Sequence, residues 1–122
     1  MIHNHSNIFS YVTKDHSTIW ELFHPVSSPV KGVSMAEALV EPGRDTEMHR
    51  HQLSQEIYYI LEGEGEMRLG NEKFNVKRYD AILIPPDTLH CVKNIGKSAL
   101  RMLCVCAPPY SHEDTLLEPD IR

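Results

Sequence analysis

Turn-forming sequences recur roughly every eight to twelve residues along most of this chain, and they constrain its fold more than any other feature. They are HPVSSP, EPGRD, LEGEG, LGNE, KRYD, IPPD, NIGKS and APPYS. Helices of ordinary length do not fit between these sites, whereas short strands do. The segments between them are rich in Val, Ile, Tyr and Leu, which predicts an all-β sandwich or barrel of about eight core strands. The predicted strands are 32–41, 46–51, 56–61, 65–69, 72–76, 81–85, 90–94 and 100–106.

The chain divides into three parts around these strands. Its 122 residues, 41% of them hydrophobic, suit one domain with one core. Residues 31–107 hold the predicted core strands and form the barrel. Residues 1–30 carry an apolar cluster that includes Trp20 and Phe23, and we expect an N-terminal arm with one or two extra strands. Residues 108–122 form a C-terminal tail, for which we expect one short helical turn.

Charge and apolar patterning exclude several classes of partner. Twelve Lys and Arg against seventeen Asp and Glu give a net charge of −5, and the basic residues are scattered, which argues against a nucleic-acid surface. No apolar run approaches the roughly 20 residues that span a bilayer, and the first ten residues do not resemble a signal peptide. We therefore expect a cytoplasmic protein with no membrane partner. The three cysteines are expected to be reduced thiols.

The most informative stretch has the spacing G-x5-H-x-H-x4-E-x6-G between Gly43 and Gly63. Side chains two residues apart in a strand lie on one face about 7 Å apart, so His49 and His51 can converge on one ion. The four residues before Glu56 are interpreted as a connection, which lets Glu56 begin the next strand and face inward. A later strand would bring His90 to the opposite side of the same centre.

Three imidazoles and one carboxylate suit one divalent transition metal, namely iron, manganese, zinc, nickel, cobalt or copper. Four protein ligands leave positions open for water or substrate in a six-coordinate shell. Any one of these histidines alone would be interpreted as a polar residue on a solvent face. Four possible ligands at one specific spacing favour a metal site.

These residues resemble the two motifs of the cupin superfamily, whose members are small jelly-roll barrels, also called double-stranded β-helices. The first motif is complete, and the second, G-x5-P-x-G-x2-H-x3-N, is present at Pro85, His90 and Asn94. Tyr79 and Asp87 stand where the family usually has glycine. The resemblance covers about residues 33–107. It implies that the metal ligands are His49, His51, Glu56 and His90.

Strand alternation predicts the lining of the barrel. Starting from the inward Glu56, it places Tyr58 and Ile60 inside. The charge of Arg101 is costly to bury, so its neighbours Leu100, Met102, Cys104 and Cys106 should face inward. The predicted cavity is mostly apolar, and its interior lacks the cationic anchor that a sugar phosphate needs. Arg44 and Lys93 are the candidates for such an anchor at its rim. Glu56 and Tyr58 are the candidate catalytic residues, each able to carry a proton.

The leading hypothesis is a metal-dependent enzyme, an oxidoreductase of the dioxygenase type acting on a small organic substrate. One alternative is a non-catalytic module that binds or senses a small molecule and keeps the metal in its binding site. Another is a cupin similar to sugar isomerases or epimerases, which needs no oxidant. Fold and ligands alone do not choose among these reactions.

Two predicted strands are apolar on both faces, which predicts a homodimer. Strand 56–61 presents Ile57, Tyr59 and Leu61 outward, and strand 100–106 presents Leu103 and Val105 outward. A strand with one wet face should alternate between polar and apolar residues, so another surface must cover these side chains. Either the N-terminal arm or a second copy of the chain could do so, and twofold self-association is the commonest arrangement.

Overall fold

The computed structural model describes residues 1–118 as two antiparallel sheets and a 3-10 turn at His5–Asn7. The strands are β1 (Tyr11–Val12), β2 (Thr18–Phe23), β3 (Ser34–Val40), β4 (His49–His51), β5 (Gln55–Glu62), β6 (Glu64–Leu69), β7 (Glu72–Lys77), β8 (Ala81–Ile84), β9 (His90–Asn94), β10 (Leu100–Ala107) and β11 (Thr115–Leu117). One sheet has the order β1-β2-β3-β10-β5-β8 and the other β11-β4-β9-β6-β7. The predicted all-β jelly roll is confirmed. No helix within residues 1–118 has the length and apolar character needed to cross a membrane.

The core lies between the two sheets and follows the predicted alternation. In β5, Glu56, Tyr58 and Ile60 are buried, while Ile57 and Tyr59 are 43% and 38% exposed. In β10, Leu100, Met102 and Cys106 are buried, and Cys104 lines the internal cavity. Inward-facing side chains of both sheets therefore close around one centre.

Arg101 lies on the outer face of β10, as its charge predicted. Its guanidinium forms an ion pair with Glu37 on the neighbouring β3 and lies 5.8 Å from the ring centre of Trp20 on β2. The cation keeps access to water on this face, and its neighbours are left to fill the core. The outward position of Arg101 thus determines which side chains of β10 face the core.

The strand that carries the two motif histidines is shorter than the predicted 46–51. It begins at His49, because regular pairing with β9 is interrupted just before that residue. Asp45 and Thr46 still bond to Lys93 and Val92 of β9, whereas the Glu47 amide donates to the carbonyl of Asp15 in the N-terminal arm at 2.9 Å. The arm therefore contacts the chain at the interruption.

The C-terminal tail contributes a strand over its described part. Thr115–Leu117 forms β11, which pairs with β4. Glu118 has helical backbone, and the rest of the expected helical turn falls on positions 119–122, which lie outside the described residues. The Asp114 carboxylate holds this tail in place by accepting from the amides of Leu53 and Ser54 at 2.9 and 3.1 Å. The edge of β4 offers unpaired backbone groups, and the tail pairs with them as a strand. The sequence of the tail alone did not indicate this pairing.

Residues 1–30 contribute β1 and β2, which extend the six-stranded sheet beyond β3. His3 stacks on Phe23 with ring centres 4.7 Å apart, and His5 lies 4.4 Å from Trp20. These early histidines therefore pack against the arm's own aromatic residues.

The two departures from the family's glycines retain the backbone that glycine would adopt. Tyr79 and Asp87 have φ angles of 77° and 61°, in the left-handed region that side chains with a Cβ seldom occupy. The Asp80 carboxylate supports the first turn by accepting from the Lys77 amide at 2.8 Å. Both turns therefore keep a left-handed φ at the position where the family usually has glycine.

Gly63, which ends the first motif, is required by both conformation and space. Its φ is +90°, and a Cβ built there would lie 2.7 Å from the carbonyl oxygen of Ala99 and 2.9 Å from the Cα of Leu100. Those atoms are backbone, so the clash cannot be relieved by rotating a side chain.

We expect Gly63→Ala to lower the free energy of unfolding by about 3 kcal/mol, since it combines left-handed strain with a backbone clash. Gly32→Ala is the matched control, because Gly32 has a φ of +73° but no atom within 4 Å of the added Cβ. It should cost about 1 kcal/mol. Denaturant unfolding of the two variants measures the difference, and equal losses would contradict the role of the close contact.

Candidate metal centre

The four motif residues converge in the interior. His49 and His51 lie on β4, Glu56 on β5 and His90 on β9, where His90 pairs directly with His49. One possible ligand atom from each lies within 4.8 Å of the others, and all four residues are at most 5% exposed. The structure therefore brings together every residue expected to bind the metal.

Backbone oxygens fix the orientation of two of the imidazoles. Nδ1 of His49 donates to the carbonyl of Glu47 at 2.7 Å, and Nδ1 of His90 donates to the carbonyl of Thr88 at 2.9 Å. A carbonyl oxygen can only accept, so the proton of each neutral ring is on Nδ1. In both rings Nε2 is left with a lone pair directed at the centre.

The hydroxyl of Thr115 fixes the orientation of the third imidazole, that of His51, and places its proton on Nδ1 as well. The hydroxyl of Thr115 donates to the carbonyl of Ser111 at 2.8 Å, so its oxygen is free to accept from Nδ1 of His51 at 2.9 Å. The C-terminal strand therefore orients a ring on β4. Partners of this kind are typical of metal-binding histidines, whose second ring nitrogen is held by an oxygen.

With the ring protons on Nδ1, the Nε2 atoms of the histidines and the carboxylate of Glu56 are hydrogen-bond acceptors that face one another. Oε1 of Glu56 lies 3.2 Å from Nε2 of His51 and 3.5 Å from Nε2 of His90. Nε2 of His90 is fully buried and has no hydrogen-bond partner among the described residues. Buried acceptors at these distances repel unless a cation lies between them, either a proton or a metal ion. The donor set fits a divalent transition metal.

The other oxygen of Glu56 is occupied by a thiol. Sγ of Cys106 donates to Oε2 of Glu56 at 3.3 Å, which leaves Oε1 directed at the histidines. Burial alone would raise the pKa of Glu56, but when a proton rather than a metal is the cation at this centre, the hydrogen bond from His51 and the positive charge of His51 and His90 hold that pKa below its usual range. Glu56 is therefore a carboxylate at neutral pH, as a metal ligand must be.

Burial, reinforced by the nearby His90, lowers the pKa of His49 to about 4. His49 therefore stays neutral, with its Nε2 lone pair available, through the physiological pH range. Burial also raises the pKa of the Cys104 and Cys106 thiols, so both remain protonated. The three cysteines are free thiols, as predicted.

A cavity of about 50 Å³ opens beside this centre, with His49, His51 and Glu56 in its wall. That volume suits a few water molecules or a small organic group. Most of its remaining wall is apolar, and among residues 1–118 no Lys or Arg lines it. Its apolar residues include Ile19, Ala36, Ala38, Val40, Val92 and Met102.

Tyr58 lines the same cavity two residues beyond Glu56. Its ring centre lies 6.0 Å from that of His90, and the side chain is buried. Burial raises its pKa well above the usual value, and the charge of Glu56 raises it further. The phenol therefore keeps its proton and can serve as a hydrogen-bond donor beside the centre.

Sequence reasoning missed two residues next to the centre. Asp15, in the turn between β1 and β2, places Oδ2 3.7 Å from Nε2 of His49, and Thr115 holds His51. The pattern Thr13-x-Asp15-x-Ser17 indicates a turn, but nothing in it points to a metal. Both residues come from segments far from the motifs in sequence.

Fold and site together define a class of protein, a small double-stranded β-helix with a buried centre of three histidines and one carboxylate. The cupin domain model matches residues 36–106, and the chain belongs to the cupin family. It is 55% identical over 113 residues to the uncharacterized protein MJ1618 of Methanocaldococcus jannaschii, covering 91% of this chain and 89% of that protein. It is also 33% identical over 67 residues to 5-nitrosalicylic acid 1,2-dioxygenase of a Bradyrhizobium species, covering 55% of this chain and 32% of that enzyme.

Solved structures support the same fold. A protein of Thermotoga maritima, described as a predicted oxalate decarboxylase, superimposes with a TM-score of 0.79. The match covers 88% of this chain and 99% of that one at 24% sequence identity. At this level of identity the likeness shows the architecture and leaves the activity open.

Replacing a ligand should remove the metal. We expect protein purified without chelator to contain about one equivalent of a divalent metal, and His51→Ala or His90→Ala to contain almost none, because three remaining ligands hold the ion much more weakly. Elemental analysis measures this. His3→Ala is the control, because His3 stacks on Phe23 away from the centre. A full equivalent of metal in both ligand variants would contradict the assignment.

Proposed function

We propose that this protein is a metal-dependent enzyme, an oxidoreductase of the dioxygenase type that acts on a small organic molecule. The observation that carries the proposal is the convergence of three Nε2 lone pairs and one carboxylate oxygen beside a small, mostly apolar cavity. A metal ion held by four protein ligands would have positions left for water or substrate in a six-coordinate shell. A purely structural ion is instead enclosed by its protein ligands.

A metal ion, the cavity wall and two side chains would each contribute to the reaction. A bound iron or manganese ion would supply open coordination positions and a redox couple suited to dioxygen. The apolar wall excludes bulk water from the reacting molecule. Tyr58 and Glu56 are the candidate catalytic residues. The buried phenol of Tyr58, which keeps its proton, donates a hydrogen bond to a ligand in the cavity. Glu56 is the candidate for proton transfer, since its Oε2 accepts a hydrogen bond from the Cys106 thiol.

The cavity wall also bears on the class of substrate. Binding a sugar phosphate requires Arg or Lys to neutralise the phosphate, and the described wall contains neither. The cavity volume of about 50 Å³ is below the roughly 300 Å³ at which ordinary ligand pockets begin. A compact substrate, or the reacting end of a larger one, therefore fits better than a sugar derivative.

We expect metal-loaded protein to consume dioxygen with at least one member of a panel of small diols, thiols and enediols. The rate of oxygen uptake should fall about tenfold or more in His90→Ala, because this variant lacks a metal ligand. It should stay at the wild-type level in the control variant His3→Ala. An oxygen electrode measures the rate. Tight binding of a panel member without turnover would favour a binding or sensing module. Conversion of substrate without oxygen uptake would favour an isomerase.

We also propose that the protein is a homodimer and resides in the cytoplasm. An apolar row runs across the outer face of β8, β5 and β10, where Ile57 is paired with Leu83 on one side and Val105 on the other. Leu83 is 58% exposed and Ile57 43%. The arm extends the opposite edge of this sheet, so a second copy of the chain is the occupant that fits.

Light scattering at micromolar concentration should give twice the mass of one chain. Leu83→Glu should give the mass of one chain, because it places a charge in the apolar row. Val26→Glu is the control, since Val26 is an exposed apolar residue outside the row. A monomeric wild-type protein would contradict the proposal, as would a dimer that Leu83→Glu leaves intact.

A further inference from the structure

Asp15 is a second carboxylate at the metal centre, and it comes from outside the cupin motifs. It lies in the turn between β1 and β2, lines the cavity, and its side chain is 14% exposed. Its Oδ2 lies 3.7 Å from Nε2 of His49. Since Nδ1 of His49 donates to a carbonyl, this approach also joins two acceptors.

The turn holds this carboxylate in one orientation. Oδ1 of Asp15 accepts from the hydroxyl of Thr13 at 2.6 Å, and from the amide and hydroxyl of Ser17 at 2.9 and 2.6 Å. The carbonyl of Asp15 accepts from the Glu47 amide at 2.9 Å, which joins the turn to the chain just before β4. All three donors bind Oδ1, the oxygen that faces away from His49, so Oδ2 is directed at the metal centre.

No described cation in the cavity wall offsets this charge. The ionisable acidic side chains that line it are Asp15, Glu21 and Glu56. Lys14, beside Asp15 in sequence, instead donates to the carbonyls of Thr115 and His112 at 2.7 and 3.4 Å. A divalent ion held by neutral imidazoles and Glu56 keeps one net positive charge, which Asp15 would neutralise.

We propose that Asp15 determines the charge of the ligand that this centre accepts. Its carboxylate repels small anions from the open coordination positions and favours a neutral molecule that presents a hydroxyl or another hydrogen-bond donor. This inference rests on the proposed function, because it requires a metal ion at the centre. It deepens that proposal by naming an uncharged hydrogen-bond donor as the substrate class.

The test is ligand binding to cobalt-loaded protein, followed by the visible absorption of cobalt. Azide serves as the anionic probe and imidazole as the neutral probe. In Asp15→Asn and Asp15→Ala we expect azide to bind at least tenfold more tightly than in the wild type, since a charge a few ångströms away is removed from a low-dielectric cavity. Imidazole affinity should change less than about twofold, because it carries no charge.

Two substitutions of Asp15 separate the effect of its charge from the effect of a new hydrogen bond, and a third variant tests a distant charge. Asn keeps an acceptor for Thr13 and Ser17 but could itself donate to azide, whereas Ala cannot, so both must show the gain. Glu72→Gln removes one exposed charge from β7 and should leave azide affinity within about twofold, because solvent and salt screen it.

The outcomes are distinguishable. A wild-type protein that binds no cobalt would overturn the proposed function and this inference together. Cobalt binding with unchanged azide affinity in both Asp15 variants would overturn only the inference. Equal gains for azide and imidazole would also overturn it, because the effect would then be steric. Loss of cobalt from both variants would make Asp15 a ligand and likewise overturn its role as a charge selector.

Discussion

The structure depends on one electrostatic constraint, the meeting of four acceptor atoms in a buried space. Three imidazole nitrogens and a carboxylate oxygen of Glu56 lie within 4.8 Å of one another, and all four residues are buried. Such a cluster is costly without a cation, and the cost rises as the surroundings become less polar. The elements that surround the centre serve mainly to hold these atoms in that arrangement.

Both ends of the described chain contribute to that support. The C-terminal strand β11 supplies Thr115, whose hydroxyl sets the proton of His51. The turn before β2 supplies Asp15, which faces His49. Lys14 then joins the two segments through the carbonyl of Thr115. The cupin motifs provide the ligands, and residues outside them determine the orientation and the charge of the site.

The sequence was sufficient to predict the barrel, its eight core strands and the four residues that converge. The strands follow from short-range patterns, namely turn residues and period-two alternation, and the convergence of His49 and His51 follows from their spacing. The full set of four metal ligands is what the resemblance to the cupin motifs implied. The positions of Asp15 and Thr115 depend on contacts between distant segments, which no local pattern records. The early start predicted for β4 was wrong for the same reason, because the Glu47 amide bonds to the arm. The strand in the tail was likewise not predicted, since it forms only by pairing with β4.

Strand β5 shows how the motif also determines the outer surface. Its two faces are almost equally apolar, with Tyr58 and Ile60 on one and Ile57 and Tyr59 on the other, so hydrophobic patterning specifies its register only weakly. Glu56 removes the ambiguity, because a shift of one residue would take its carboxylate away from the histidines. Gly63 fixes the far end, since the backbone of β10 approaches it too closely for any other residue. The residues that build the metal centre therefore also decide which apolar side chains of β5 face outward, and so define the surface available to a second copy of the chain.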